Sequence, residues 1–174
     1  METRDLILDK ARFEDWENLY RNVWSRPETA RYMLWTVTDS EEDARARMER
    51  TIAWQRDHDV WTVYQKAGRQ AIGWAGLAEL SPGIWQETSI ALGPDYVGRG
   101  YGRQLLELLM EIARERGGTE FRCSVRAENA ASKALIAACG FTLTATGSCI
   151  DQRNNRAYTL ELYARQLYGQ APCP

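Results

Sequence analysis

The residues best placed to do chemistry lie in the run Asp95-Tyr96-Val97-Gly98-Arg99-Gly100-Tyr101-Gly102-Arg103, which passes directly into Gln104-Leu105-Leu106-Glu107-Leu108-Leu109. Glycines at three alternate positions let the chain turn tightly and present its N–H groups. The helix expected behind them directs the positive end of its dipole at the same point. Together these features predict a cradle for an anion, phosphate above all, built from main-chain donors.

The kind of anion narrows by elimination. A Walker-type loop closes its glycine run with Lys and Ser or Thr, to reach the outer phosphates and Mg²⁺. Here the glycines are followed by Arg103-Gln104-Leu105. A dinucleotide-binding turn needs G-x-G-x-x-G and an acidic residue roughly 20 positions on. This run reads G-x-G-x-G, so neither nucleotide motif fits.

The elements that must position the loop follow from periodicity. Residues 5–9 read as a short strand, and Phe13, Trp16, Leu19, Tyr20 and Val23 carry helical spacing. Pro27 opens a short helix in a segment that includes Trp24, Tyr32 and Trp35. Ser40-Glu41-Glu42-Asp43 is a capping-box signature for a helix reaching about residue 57. Strands at 60–65, 71–80 and 84–92 are separated by hairpin-short turns, which makes them antiparallel neighbours.

After the glycine loop, Leu105, Leu106, Leu109, Ile112 and Ala113 mark one helix face, and Gly117-Gly118 ends it. The strand 119–126 alternates with Phe121, Cys123 and Val125 inward, and a crossover of this kind sets it parallel to the strand before the loop. Asn129 caps a further helix with Ala131, Leu135 and Ala138 as its stripe, ended by Gly140. Segments 141–150 and 156–164 form a closing hairpin. The outcome is an α/β fold with a mixed, mostly antiparallel seven-stranded sheet, in one domain spanning 1–174.

Composition bounds the function. A length of 174 residues with 44% hydrophobic content suits one globular core. No apolar run nears the ~20 residues of a membrane span, nor does the N-terminus lead into a signal peptide, so a cytoplasmic location without membrane partners is expected. The net charge of −2, with both signs well mixed, offers no electrostatic footprint for nucleic acid. Cys123, Cys139, Cys149 and Cys173 lack C-x-x-C spacing and His58 stands alone, so neither disulfides nor a metal site is expected.

The glycine loop resembles the acetyl-CoA pyrophosphate loop of the GNAT superfamily of N-acetyltransferases, Arg/Gln-x-x-Gly-x-Gly/Ala at a helix start. Gly100 and Gly102 take the glycine positions, and Val97 stands where Arg or Gln is usual. The element order is similar to the GNAT fold from end to end. Glu87-Thr88-Ser89-Ile90-Ala91-Leu92-Gly93-Pro94 resembles the Glu-x-x-x-x-Leu-x-Pro strand of the RimJ/RimL branch of ribosomal-protein acetyltransferases. Asn129-Ala130-Ala131-Ser132, with Leu135 and Cys139-Gly140-Phe141 behind it, resembles that branch's Asn-x-x-Ser helix.

The resemblance implies a fold whose central parallel strands splay apart, with helices on both faces, and acetyl-CoA as co-substrate. By that analogy Ile90, Ala91 and Leu92 contact the pantetheine arm. The N–H groups of Val97, Gly98, Arg99, Gly100, Tyr101, Gly102 and Arg103 hold the pyrophosphate, aided by the charges of Arg99 and Arg103. Asn129 belongs to the same cofactor-binding set.

Acetyl transfer to an amine requires a base for the amine proton and a polar group for the leaving thiolate. Glu87 is the leading base: strand alternation groups it with Ser89 and Ala91, beside Trp85, where partial desolvation raises its pKa. Glu79 is the reserve. The resemblance to the RimJ/RimL branch implies Ser132 as the hydrogen-bond partner of the thiolate; the tyrosine common in the wider superfamily seven residues after the Asn is Ile136 here, which cannot donate a proton.

The resemblance further implies that the early helices and the last hairpin wall the acceptor pocket, bringing Trp24, Tyr32, Trp35, Tyr158 and Tyr163 to it. The acceptor is a primary amine, either a protein N-terminus or a small molecule, and a homodimer is the family habit. A CoA-binding module without catalysis, suggested by Ile136, and a dimerisation domain are the readings from other classes.

Overall fold

The computed structural model describes residues 1–168. Seven strands form one sheet in the order β1-β2-β3-β4-β5-β7-β6: β1 (Leu6–Asp9), β2 (Val60–Gln65), β3 (Ala71–Ser81), β4 (Ile84–Leu92), β5 (Glu120–Arg126), β6 (Thr142–Asp151) and β7 (Arg156–Gln166). All pairings are antiparallel except β4 with β5. The GNAT-like α/β architecture expected from the sequence is therefore the one found.

The helices are α1 (Trp16–Leu19), α2 (Pro27–Ala30), α3 (Glu41–Asp57), α4 (Tyr101–Glu115) and α5 (Ala130–Ala138). On one sheet face α4 packs Leu105, Leu106, Leu109 and Met110 against Leu77, Trp85 and Phe121. On the other, α1, the turn that follows it and α3 pack Leu19, Val23, Trp24 and Met48 against Tyr64 and Ala71. Alternation along β5 buries Phe121, Cys123 and Val125, as its period requires.

Helix ends obey the capping chemistry. Ser40 Oγ accepts from the Asp43 N–H at 3.1 Å and Asn129 Oδ1 from the Ser132 N–H at 3.2 Å, opening α3 and α5. Gly140, at φ 75°, closes α5 with a left-handed residue.

Three expectations need correction. Segment 13–23 is not one helix: a 3₁₀ turn at Phe13–Asp15 precedes α1, which then widens into a π turn at Tyr20–Trp24. Its ends are pinned elsewhere, with Tyr64 Oη donating to Asp15 Oδ2 and Asn22 Nδ2 donating to Ala71 O, so a regular helix does not satisfy both anchors. In α5 the buried residue is Ile136, with Leu135 half-buried, whereas Ala131 and Ala138 face solvent. Their methyl groups are too small to define a stripe.

The third correction concerns β4. Its register against β3 pairs Ser89 with Gly76 and Glu87 with Leu77, so Thr88 is a bulge. An extra residue there reverses the alternation. Glu87 therefore shares a sheet face with Trp85 and Ile90, and Ser89 and Ala91 point to the other.

Candidate active site

Parallel pairing of β4 with β5 is confined to Ile84 with Glu120, Trp85 with Phe121 and Gln86 with Arg122. Beyond Gln86 the strands separate, and β4 has no partner on that side from Glu87 onward. The gap is a cleft of about 390 Å³ whose lining includes Glu87, Ile90, Cys123, Asn129, Ser132 and Ile136. The splay thus brings Glu87 and Ser132 to one space, with Asn129 beside them. The bulge at Thr88 aims the Glu87 side chain into it, and burial pushes its carboxyl from the ordinary 4.5 up to about 7.

Ala91 and Leu92 complete the strand but do not line this cleft; Ala91 is buried against β3 opposite Trp74. Glu79, the reserve base, is exposed and accepts the Gly83 N–H at 2.9 Å in the β3–β4 turn. Its carboxylate is committed to a local turn on another part of β3.

The loop between β4 and α4 carries two left-handed glycines, Gly98 at φ 76° and Gly100 at φ 79°. A Cβ at either would meet nothing within 4 Å, so what requires glycine is the backbone conformation. Among the described residues, none of the N–H groups of Gly98, Arg99, Gly100, Tyr101, Gly102 and Arg103 finds a protein acceptor. The first that does is Gln104, on Gly100 O at 3.2 Å. Six consecutive donors at the start of a fifteen-residue helix form an anion site.

Side chains in this loop contribute differently. Val97 is exposed, and its N–H makes a 3.4 Å bond to Pro94 O. The Tyr101 ring is buried in the core and its Oη accepts from Gln65 Nε2, so only its main chain faces the cradle. Arg103 is ion-paired with Glu107 at 2.8 Å, which leaves its charge partly neutralised. Arg99 lies 5.7 Å from the Tyr96 ring centroid, without a carboxylate partner among the described residues.

A second, larger cavity of about 710 Å³ lies on the opposite sheet face, beneath α3. Trp24, Arg47, Trp54, Gln55 and Trp85 are among its walls. It shares Trp35, Trp74, Thr88 and Ser89 with the cleft, so the two spaces meet through the sheet at the bulge. Of the aromatics expected at an acceptor site, Trp24 and Trp35 line the larger cavity and Tyr32 and Tyr158 the cleft. Tyr163 lines neither and donates to Glu161 Oε2 at 2.5 Å. Thr88, Ser89, Trp54, Trp74 and Arg47 were not legible as site residues, because only the bulge and the packing of α3 bring them together.

Arg153 fixes the segment that carries Trp35. Its Nη1 donates to Ala30 O at 2.9 Å and Trp35 O at 3.1 Å, while Asp151, 2% exposed, accepts from both Arg153 and Arg126. The closing hairpin thereby clamps the α2–α3 connection over the junction of the two cavities.

The sulfur and metal chemistry is limited. Cys123 and Cys139 are buried thiols raised by desolvation, Cys149 is half-buried, and Cys173 lies outside the described residues. Among the described residues there is neither a cluster suited to a metal ion nor a helix long and apolar enough to cross a membrane.

A splayed parallel pair joined by a glycine loop and helix, with a half-buried carboxylate in the gap, is the arrangement that the resemblance to the GNAT superfamily implies. Residues 5–142 match the acetyltransferase (GNAT) domain family, and the chain belongs to it. N-alpha-acetyltransferase RimI of Mycobacterium tuberculosis is 34% identical over 99 residues, covering 55% of this chain and 59% of that protein. The chain thus spans somewhat over half the length of that curated relative. An acetyltransferase of the GNAT family from Bacillus anthracis superposes with a TM-score of 0.81 at 18% identity, covering 96% and 98% of the two chains. The ribosomal L7/L12 alpha-N-protein acetyltransferase RimL, solved with coenzyme A, gives 0.73 at 23% identity over 94% and 95%. These two likenesses are of fold.

Proposed function

We propose that the protein transfers acetyl from acetyl-CoA to a primary amine by direct attack within a ternary complex. The observation that carries this reading is a pairing along one stretch of chain: a carboxyl with a pKa of about 7 in the cleft where β4 leaves β5, and six free N–H donors in the loop that follows β4. The donors suit the pyrophosphate, and the unpaired edge of β4 from Glu87 to Leu92 suits the amide-bearing pantetheine arm. RimI and RimL relatives and a coenzyme A complex in the same fold support the choice of co-substrate.

Glu87 accepts the proton as the amine nitrogen bonds to the thioester carbonyl carbon, directly or through one water. Its raised pKa matches it to neutral pH, where a base both is ionised in part and holds the proton well. As the C–S bond breaks, the electron pair leaves with sulfur as thiolate, and the Ser132 hydroxyl donates a hydrogen bond to it. Ile136, 4% exposed in the cleft wall, supplies no proton, and a thiolate leaves without one.

Release of CoA thiol from acetyl-CoA with amine acceptors, set beside CoA-dependent thermal stabilisation, tests the reading. Turnover with an amine supports it. Stabilisation without turnover on any amine would instead support a binding module lacking catalysis.

A further inference from the structure

Arg47 takes no part in the reaction just described. It projects from α3 into the larger cavity, its guanidinium carbon 4.8 Å from the ring centroid of Trp24, 4.4 Å from that of Trp35 and 6.0 Å from that of Trp74. Its side-chain bond is Nη1 to Thr38 Oγ1, at 2.9 Å. Among the described residues no carboxylate lies within ion-pair distance of it, and the charge that bears on it is that of Arg50. Arg26, Arg103, Arg116, Arg126 and Arg153, by contrast, each hold an acid. Burial lowers the Arg47 pKa to about 10, so it remains a cation at neutral pH.

A desolvated cation lacking a counter-charge is unfavourable until an anion joins it, and the guanidinium fork matches a carboxylate in two parallel hydrogen bonds. Two of the rings stacked on Arg47, Trp35 and Trp74, also line the cleft that holds Glu87. The cation therefore sits one side chain from the point where cavity and cleft meet. The remaining walls include Trp54 and Trp85 but also Arg50, Asp57, Asp59 and Glu79, of which Asp59 is paired with Arg116 and Glu79 accepts the Gly83 N–H; the buried indole N–H groups of Trp35 and Trp85 have no acceptor of their own.

We infer that Arg47 receives a carboxylate of the acceptor, so that the substrate class is a primary amine bearing a carboxylate on an apolar or aromatic body, as in an apolar amino acid. The inference rests on the N-acetyltransferase reading and narrows it. An acidic side chain next to a peptide N-terminus presents the same chemistry as a free amino acid, and the acceptor panel separates the two.

The test compares kcat/KM, expressed per neutral amine, for L-phenylalanine, L-phenylalaninamide and phenethylamine, and for Phe-Asp and Phe-Asn dipeptide amides. Loss of charged hydrogen bonds predicts that phenylalanine exceeds its amide by about tenfold or more, and that the ratio collapses towards one in Arg47→Gln, with Arg47→Lys between. A preference confined to Phe-Asp over Phe-Asn would assign the same arginine to peptides. Should the Gln variant fail to fold, inhibition of the wild-type enzyme by 3-phenylpropanoate but not 3-phenylpropanamide carries the same decision. Transfer to amines without regard to the carboxylate would overturn the assignment of Arg47 alone. No transfer to any amine would overturn the transferase reading together with it.

Discussion

Replacing Glu87 by Gln separates catalysis from stability in opposite directions. Moving a carboxyl from 4.5 to about 7 corresponds to about 3 kcal/mol favouring its protonated form in the fold. The carboxylate is thus a burden to the folded state. The burden is absent below pH 4.5, grows as pH rises through the interval, and is complete above about 7. Gln, neutral at every pH, escapes it, so the variant should have a higher thermal midpoint than wild type at pH 8 and little advantage at pH 4. Activity should change the other way. Removing a general base lowers kcat by about 10²- to 10⁴-fold, and the rise of wild-type kcat/KM with pH through about 7 should vanish. The assays are calorimetry at both pH values and a pH–rate profile with saturating acetyl-CoA. A Gln variant with wild-type rates across pH, or one less stable at pH 8, would refute the assignment of Glu87 as a desolvated base.

Three further predictions test separate parts of the site. Gly100→Val places a β-branched residue at φ 79°, and the resulting strain and bulk should weaken CoA binding at least tenfold by calorimetric titration; unchanged affinity would remove the loop from the account. Ser132→Ala should lower kcat on the order of tenfold with KM for acetyl-CoA little altered, as expected for a hydrogen bond to a departing anion, and an unchanged kcat would free the serine for its capping turn alone. Arg153 and then Arg126 hold the Asp151 carboxyl well below the usual carboxylate range, so this acid stabilises the fold above about pH 4 and ceases to as it protonates at lower pH. Asp151→Asn should lower the melting temperature at pH 7 by several degrees, and an unchanged midpoint would show that the hairpin does not clamp the Trp35 segment.

The sequence made the glycine loop, the parallel crossover and the strand that carries Glu87 legible, because these depend on local signals: glycine spacing, a capping asparagine, alternation along a strand. It did not reveal the face on which Glu87 lies. Strict alternation groups it with Ser89 and Ala91, and one inserted residue at Thr88 reverses that, a change without a compositional mark. The first helix failed for a related reason, since the anchors Asp15 and Asn22 act through tertiary contacts with Tyr64 and Ala71. Arg47 was hidden among the many arginines of a polar helix, and only the three tryptophans that converge on it from the π turn after α1, the loop before α3 and β3 distinguish it. Tyr163, by contrast, looked like a pocket aromatic and is tied to Glu161 instead.

The most direct test of the central claim is simultaneous measurement of CoA thiol release and of N-acetylated product by mass spectrometry, with and without an amine acceptor. The account predicts one thiol per acetylated amine, no release without acceptor, and a rate that rises through about pH 7. Thiol release that leaves acetyl on the protein, or stable CoA binding with no product from any amine, would contradict it.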